Sequence, residues 1–158
     1  MQKHLYRRLL LKTKIYLDTT VVSALFDKRT PERMTQTQQF WEHIDDYNVY
    51  ISELVTDEIN GASQPLQDKM LEKISKFNSL FITEEAQYLA ELYLENEIFP
   101  EKYSADALHV ALTSTNQIGI LLSWNFNHLV KVKTRRMVGL INTIHNYYPV
   151  EIITPPEL

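Results

Sequence analysis

The sequence predicts an α/β domain on a mostly parallel sheet, and three observations carry that prediction. Short apolar, β-prone runs alternate with amphipathic helical stretches, the arrangement of strand–helix–strand units. A length of 158 residues, 44% hydrophobic and 23% charged, suits one domain with a sizeable core. No internal repeat, low-complexity tract or linker interrupts the alternation.

Lys14–Leu17 reads as a buried strand whose C-terminal edge is Asp18-Thr19-Thr20. Val21–Phe26 follows as a short helix, with Asp18 or Thr19 available to cap it. Pro31, at the first helical position after Thr30, opens a helix to about Asp45 with Met34, Phe40, Trp41 and Ile44 as its apolar contacts. Asn48–Ser52 is the second strand. The helix after it carries Leu54, Val55 and Ile59 inward and stops at Asn60-Gly61. Ser63-Gln64-Pro65 opens the next helix, to about Phe77, with Leu66, Met70, Leu71 and Ile74 at helical spacing. Leu80–Ile82 is a short strand, and Thr83 begins a long amphipathic helix through Asn96. Ser104 is expected to cap a helix from Ala105 to Asn116. Ile118–Ser123 is a strand, Thr134–Tyr147 the last helix and Val150–Ile153 the last strand. Pro155-Pro156 marks a loose C-terminal end.

Composition removes several function classes. The absence of cysteine excludes a disulfide framework, a thiolate zinc site and a cysteine nucleophile. With no apolar run of about 18 residues, no transmembrane helix is expected. Leu9-Leu10-Leu11 is too short for a signal sequence, so a cytoplasmic domain is the expectation. Three glycines and no Gly-Lys-Ser/Thr exclude a phosphate-binding Walker loop, and no Gly-x-Ser-x-Gly elbow exists. A haloacid-dehalogenase-type phosphatase wants a second aspartate two residues after the first, and position 20 is Thr. The net charge of −4 hides an asymmetry: the first 14 residues hold five basic side chains and no acid, leaving 11 basic against 20 acidic beyond them. A second basic cluster is Lys131, Lys133, Arg135 and Arg136. Such patches on an acidic body are ordinary solvated surface, or local contacts for an anionic polymer.

Four polar positions stand at the edges of apolar elements. Asp18 ends the first strand, Glu58 lies in the helix after the second, Asp106 opens the helix Ser104–Ala111, and Asn125 follows the strand Ile118–Ser123. Singly, each has an ordinary role: a cap for Asp18, a partner to the helix dipole for Asp106, a surface glutamate beside Glu53 and Asp57, a turn residue at Asn125. Jointly they suggest a magnesium site, because gathered carboxylates repel unless a cation sits between them, and hence chemistry on phosphodiesters. His109, three residues after Asp106 on the same helical face, is expected to be a satisfied buried histidine. Trp124 and Phe126 flank Asn125 as core residues or as a stacking surface for a base.

The segments Ile15–Leu25, Ser52–Ile59, Ala105–Ala111 and Leu122–Leu129 resemble the PIN-domain nuclease family in order and spacing, over about residues 14–154. The resemblance is closest to the VapC-type toxins of bacterial toxin–antitoxin pairs. It implies a three-layer α/β/α fold, a Mg²⁺ or Mn²⁺ site built from acids, and endoribonuclease activity. By that resemblance Asp18, Glu58 and Asp106 are the metal-binding acids. The fourth polar position falls among Asn125, Asn127 and His128, where many relatives carry an aspartate; Asn125 is the choice made. Residues 1–13 have no counterpart and read as a basic extension to a single nuclease domain over 14–158. The family's habits imply an RNA substrate, a homodimer and an inhibitory antitoxin, with the helices Ser63–Phe77 and Thr83–Asn96 as candidate contact surfaces. The rival is a PIN-like module that has lost catalysis and serves as an adaptor.

Overall fold

The computed structural model describes residues 12–158, so the expected N-terminal extension, apart from Lys12 and Thr13, lies outside the described residues. Five strands form one sheet: β1 (Lys14–Leu17), β2 (Asn48–Ser52), β3 (Asn78–Leu80), β4 (Ile120–Leu122) and β5 (Glu151–Ile153). Their order is β3-β2-β1-β4-β5 and every neighbouring pair is parallel. Helices α1 (Thr19–Ala24) and α2 (Pro31–Glu42) join β1 to β2, and α3 (Glu53–Asn60) and α4 (Gln64–Ile74) join β2 to β3. Helices α5 (Glu84–Glu95) and α6 (Ser104–Thr115) carry the chain back across the sheet to β4, and α7 (Val132–Ile144) leads to β5.

That order explains the layers. Crossovers between parallel strands are right-handed. Steps from β1 outward to β3 therefore put their helices on one face, and the return to β4 and β5 puts its helices on the other. The packing agrees: α1 touches α2, α3 and α4, while α5 lies along α6 and also meets α7. Strands covered on both faces are apolar throughout. Accordingly Ile15, Tyr16 and Leu17 of β1 and Leu121 and Leu122 of β4 are fully buried. The three-layer α/β/α architecture expected from the resemblance is the one observed, with the sheet wholly parallel.

Element ends differ from expectation where side chains intervene. The first helix starts at Thr19 rather than Val21, because the Asp18 side chain accepts from the Val21 N–H and caps it there. Helix α2 ends at Glu42, and Ile44–Asp46 forms a separate 3₁₀ turn. Thr30 holds the N-cap position of α2 but its buried hydroxyl bonds nothing among the described residues. Helix α4 ends at Ile74, and α6 includes Ser104 as a helical residue rather than its cap. The third strand is displaced two residues towards the N-terminus. Its pairing ends at Ser52–Leu80 because β2 turns into α3 there, and Glu53 then takes the Ile82 N–H at 2.8 Å. The C-terminus is not loose: Pro155–Glu157 forms a 3₁₀ turn closed by a capping box between Thr154 and Glu157.

Candidate functional site

In an open parallel sheet the ligand crevice lies beyond the strands' C-terminal ends, where the strand order reverses direction. Here that place is between β1 and β4. Their pairing runs to Leu17–Leu122, and the Asp18 N–H continues it by donating to the Leu122 carbonyl at 3.2 Å. The next residue on each strand is polar: Asp18 on β1, Ser123 on β4. Both are buried.

Asp18 is held on every side. Its Oδ1 accepts from the Thr20 hydroxyl and, at 3.3 Å, from the Val21 N–H; its Oδ2 accepts from the Ser123 hydroxyl. The two hydroxyls are themselves fixed, since Trp124 N–H donates to Thr20 Oγ1 and Asn125 N–H donates to Ser123 Oγ, each at 2.9 Å. With a single donor, Oδ2 keeps lone-pair capacity for a further partner. Burial raises the Asp18 carboxyl above the usual range, against the opposing pull of His109 and the three donors.

Asp106 stands in the first turn of α6, where the helix N-terminus favours a negative charge. Its Oδ2 accepts from the Asn125 amide at 3.3 Å. Burial raises this carboxyl too, with His109 and His128 opposing and the charges of Asp18 and Glu58 adding to the rise. The three acids thus share one field although they lie on three separate elements.

Glu58 is bound differently. Its Oε1 accepts from the Thr19 hydroxyl at 3.0 Å and meets His109 Nε2 at 2.6 Å. Burial alone would raise it; the His109 contact and the Thr19 hydrogen bond outweigh that and hold it below the usual range. His109 is 2% exposed and has both ring nitrogens engaged, as expected of a satisfied buried histidine.

Asn125 differs from an oxygen ligand. Its Oδ1 accepts from the His128 N–H at 3.0 Å, so the amide nitrogen is the end turned to Asp106. Asn127 is exposed, and the His128 ring lies 3.8 Å from that of Tyr103. Trp124 and Phe126 differ in burial. Trp124 is buried, donating Nε1–H to Thr37 at 2.9 Å, whereas Phe126 is 49% exposed. The Arg33 guanidinium lies 5.2 Å from the Trp124 ring centre and 5.4 Å from that of Phe126.

No three acidic or histidine side chains among the described residues stand ready as a closed metal cage. The donor chemistry nevertheless fits a hard cation: a buried carboxylate at Asp18 and a half-buried one at Asp106, each with spare oxygen capacity. Mg²⁺ keeps several waters and needs only one or two protein carboxylates.

With this geometry in view, solved structures give the comparison. The chain matches Mycobacterium tuberculosis VapC20, a sarcin-ricin-loop-cleaving toxin, with a TM-score of 0.57 and 17% identity over 72% of this chain and 92% of that one. This chain has the PIN fold of the VapC toxins. It also matches a chain of VapBC2 from Rickettsia felis, solved bound to a DNA fragment from its promoter, with a TM-score of 0.51 and 13% identity over 73% of this chain and 90% of that one. No protein-family model matches the sequence, and no curated protein does. The likeness is thus one of fold, at low sequence identity.

Of the four positions singled out in the sequence, Asp18, Glu58 and Asp106 lie near enough to share one field and Asn125 hydrogen-bonds to Asp106. Sequence reasoning missed Thr20, Tyr16 and Ser52. Tyr16 carried a signal: a phenol inside an otherwise aliphatic central strand must find a partner for its O–H.

Proposed function

We propose that this protein is a Mg²⁺- or Mn²⁺-dependent endoribonuclease and the toxin of a type II toxin–antitoxin pair. The observation that carries this reading is the convergence of Asp18 and Asp106, both with raised carboxyls, at the switch point of a PIN-type sheet. In this reading Asp18 and Asp106 hold the cation directly and Glu58 acts on it directly or through water. The ion would supply Lewis acidity towards a phosphate oxygen and towards a water molecule. Ser123 and Thr20 fix the Asp18 carboxylate so that it does not have to reorganise when charge develops. Glu58 Oε2, which accepts no hydrogen bond among the described residues, would in this reading orient a nucleophilic water. Asn125 steadies Asp106 by donation and adds no negative charge.

By the same reading the substrate is RNA, the partner is an antitoxin whose basic side chain would compete for Asp18 or Asp106, the assembly is a homodimer and the compartment is the cytoplasm. No helix among the described residues is long and apolar enough to cross a membrane. A non-catalytic adaptor is the second reading, favoured by the neutral Asn125 and by the open ligand arrangement.

Cleavage of a mixed pool of structured and single-stranded RNAs, with Mg²⁺, Mn²⁺ or EDTA, tests the two. Metal-dependent cleavage by wild type that falls at least about 100-fold in Asp106→Asn, with an unchanged circular dichroism spectrum, is the expected result. Cleavage that persists in both EDTA and the variant would sink the assignment. Absence of cleavage by wild type in a broad pool would favour the adaptor.

A further inference from the structure

Four side chains from separate elements make one buried line of hydrogen bonds. Ser52 Oγ meets Tyr16 OH at 2.7 Å, Tyr16 OH meets His109 Nδ1 at 2.7 Å, and His109 Nε2 meets Glu58 Oε1 at 2.6 Å. Ser52 and Tyr16 are fully buried. The line starts at the end of β2 and returns, through β1 and α6, to the second turn of the helix that β2 leads into. It is a closed brace on the β2–α3 unit.

Two details show that the brace is specific. Ser52 occupies the N-cap position of α3, where a serine hydroxyl ordinarily accepts from the helix's first N–H groups. It makes no such bond; its hydroxyl goes to Tyr16 instead. And Glu58 is gripped by a single oxygen: Thr19 and His109 both address Oε1, and among the described residues Oε2 receives no donor.

A carboxylate can only accept, so His109 Nε2 carries the hydrogen. Nδ1 then accepts from the Tyr16 hydroxyl while Ser52 donates to the Tyr16 oxygen.

We infer that Tyr16 and His109 are positioning residues that lock Glu58 by Oε1 and so reserve its Oε2 for a divalent cation or that cation's water. This rests on the metal-dependent reading above. A histidine or phenol that merely filled the core would have no such effect on the ion.

The test is Mn²⁺ binding to the free protein, measured by calorimetry without RNA, with Asp106→Asn as the control for the site itself. Tyr16→Phe and His109→Leu are expected to weaken Mn²⁺ about tenfold or more, the usual effect of removing a residue that orients a ligand. His109→Gln, which keeps one donor and one acceptor, should recover most of that loss. Glu58→Gln combined with His109→Leu should lose little beyond Glu58→Gln alone, since the histidine acts through the glutamate.

Unchanged affinity in Tyr16→Phe and His109→Leu, with binding abolished in Asp106→Asn, overturns the positioning role and leaves the nuclease reading standing. Fully additive losses in the double variant overturn it as well. Failure of the wild type to bind Mn²⁺ overturns both. If His109→Leu does not fold, Tyr16→Phe, which removes one oxygen from a ring that keeps its packing, decides the matter.

Discussion

At the scale of single residues, the site's charges are balanced by one amide and two hydroxyls. Asn125 gives Asp106 a donor where an aspartate would give it a second negative charge. Asn125→Asp should therefore destabilise the metal-free protein by about 1 kcal/mol, a modest figure because both groups are partly exposed. That corresponds to a drop in Tm of about 2–4 °C for a chain of this length. Mn²⁺ should raise the variant's Tm by more than it raises the wild type's; an equal rise would mean that position 125 does not sense the ion. The raised carboxyls have a consequence for pH. Burial makes the folded protein hold the protons of Asp18 and Asp106 more tightly than the unfolded chain, whose carboxyls titrate near about 4. As pH climbs from there through the raised values, the folded state binds the greater number of protons and stability falls. Glu58, held low, runs the other way: its contribution is present above the ordinary glutamate value and is lost as pH falls through its own. Metal-free Asp18→Asn should accordingly gain Tm relative to wild type as pH rises from about 4 to 7. A difference that stays flat across that range would show that Asp18 titrates alike in both states.

At the scale of elements, three helix ends share one device. Helices α5, α6 and α7 all finish with a non-glycine residue in the left-handed region: Glu97 at φ 56°, Gln117 at φ 56° and Asn146 at φ 58°. Each end has the paired bonds of a Schellman motif, Ile98 N–H to Tyr93 O and Glu97 N–H to Leu94 O being the first set. The other two run from Ile118 to Thr113 and from Tyr147 to Asn142. Glycine suits this conformation and the chain offers none there. Gln117→Gly, at an exposed position, should raise stability by about 1 kcal/mol in urea unfolding; a loss would mean that the Gln117 side chain contributes more than its strain costs. The same motif explains why β4 starts at Ile120 rather than Ile118. Ile118 is buried closing the end of α6, so its hydrophobicity belongs to the helix terminus. Strand and helix cores were legible in the sequence because burial imposes periodicity. Several boundaries were not, because they are decided by partners distant in sequence: Glu53 on Ile82 and Asn78 on Val49. The polar network was likewise hidden. Asp18, Asp106 and Asn125 announce themselves at element edges, whereas Tyr16 lies within a strand that reads as plain core and Ser52, at the end of its strand, reads as an ordinary helix cap.

For the whole molecule, the sheet order sets the site's chemistry. Reversing direction between β1 and β4 brings Asp18 and Ser123 side by side at the switch point of the sheet. A cation bound there would stabilise the entire fold by mass action, about 2.7 kcal/mol at a hundredfold excess over Kd. Mg²⁺ should therefore raise the Tm of wild type by several degrees at pH 7 and by less near pH 5, where protons compete for the same oxygens. Asp18→Asn and Asp106→Asn should show almost none of this gain; a full gain in both would place the ion elsewhere. The architecture was legible because strand–helix alternation fixes it, while the pairing of β1 with β4 was not, since nothing local links Tyr16 to Leu121. That pairing also bears on how the chain comes into being. Residue 18 leaves the ribosome about a hundred residues ahead of residue 123, a delay on the order of 10 s at ordinary elongation rates. Throughout that interval β1 has β2 as a parallel neighbour within reach but lacks β4, so one half of the crevice exists without the other. The site between β1 and β4 is therefore absent from the nascent chain until β4 has been made, and a partner that recognises both halves can bind only after that point.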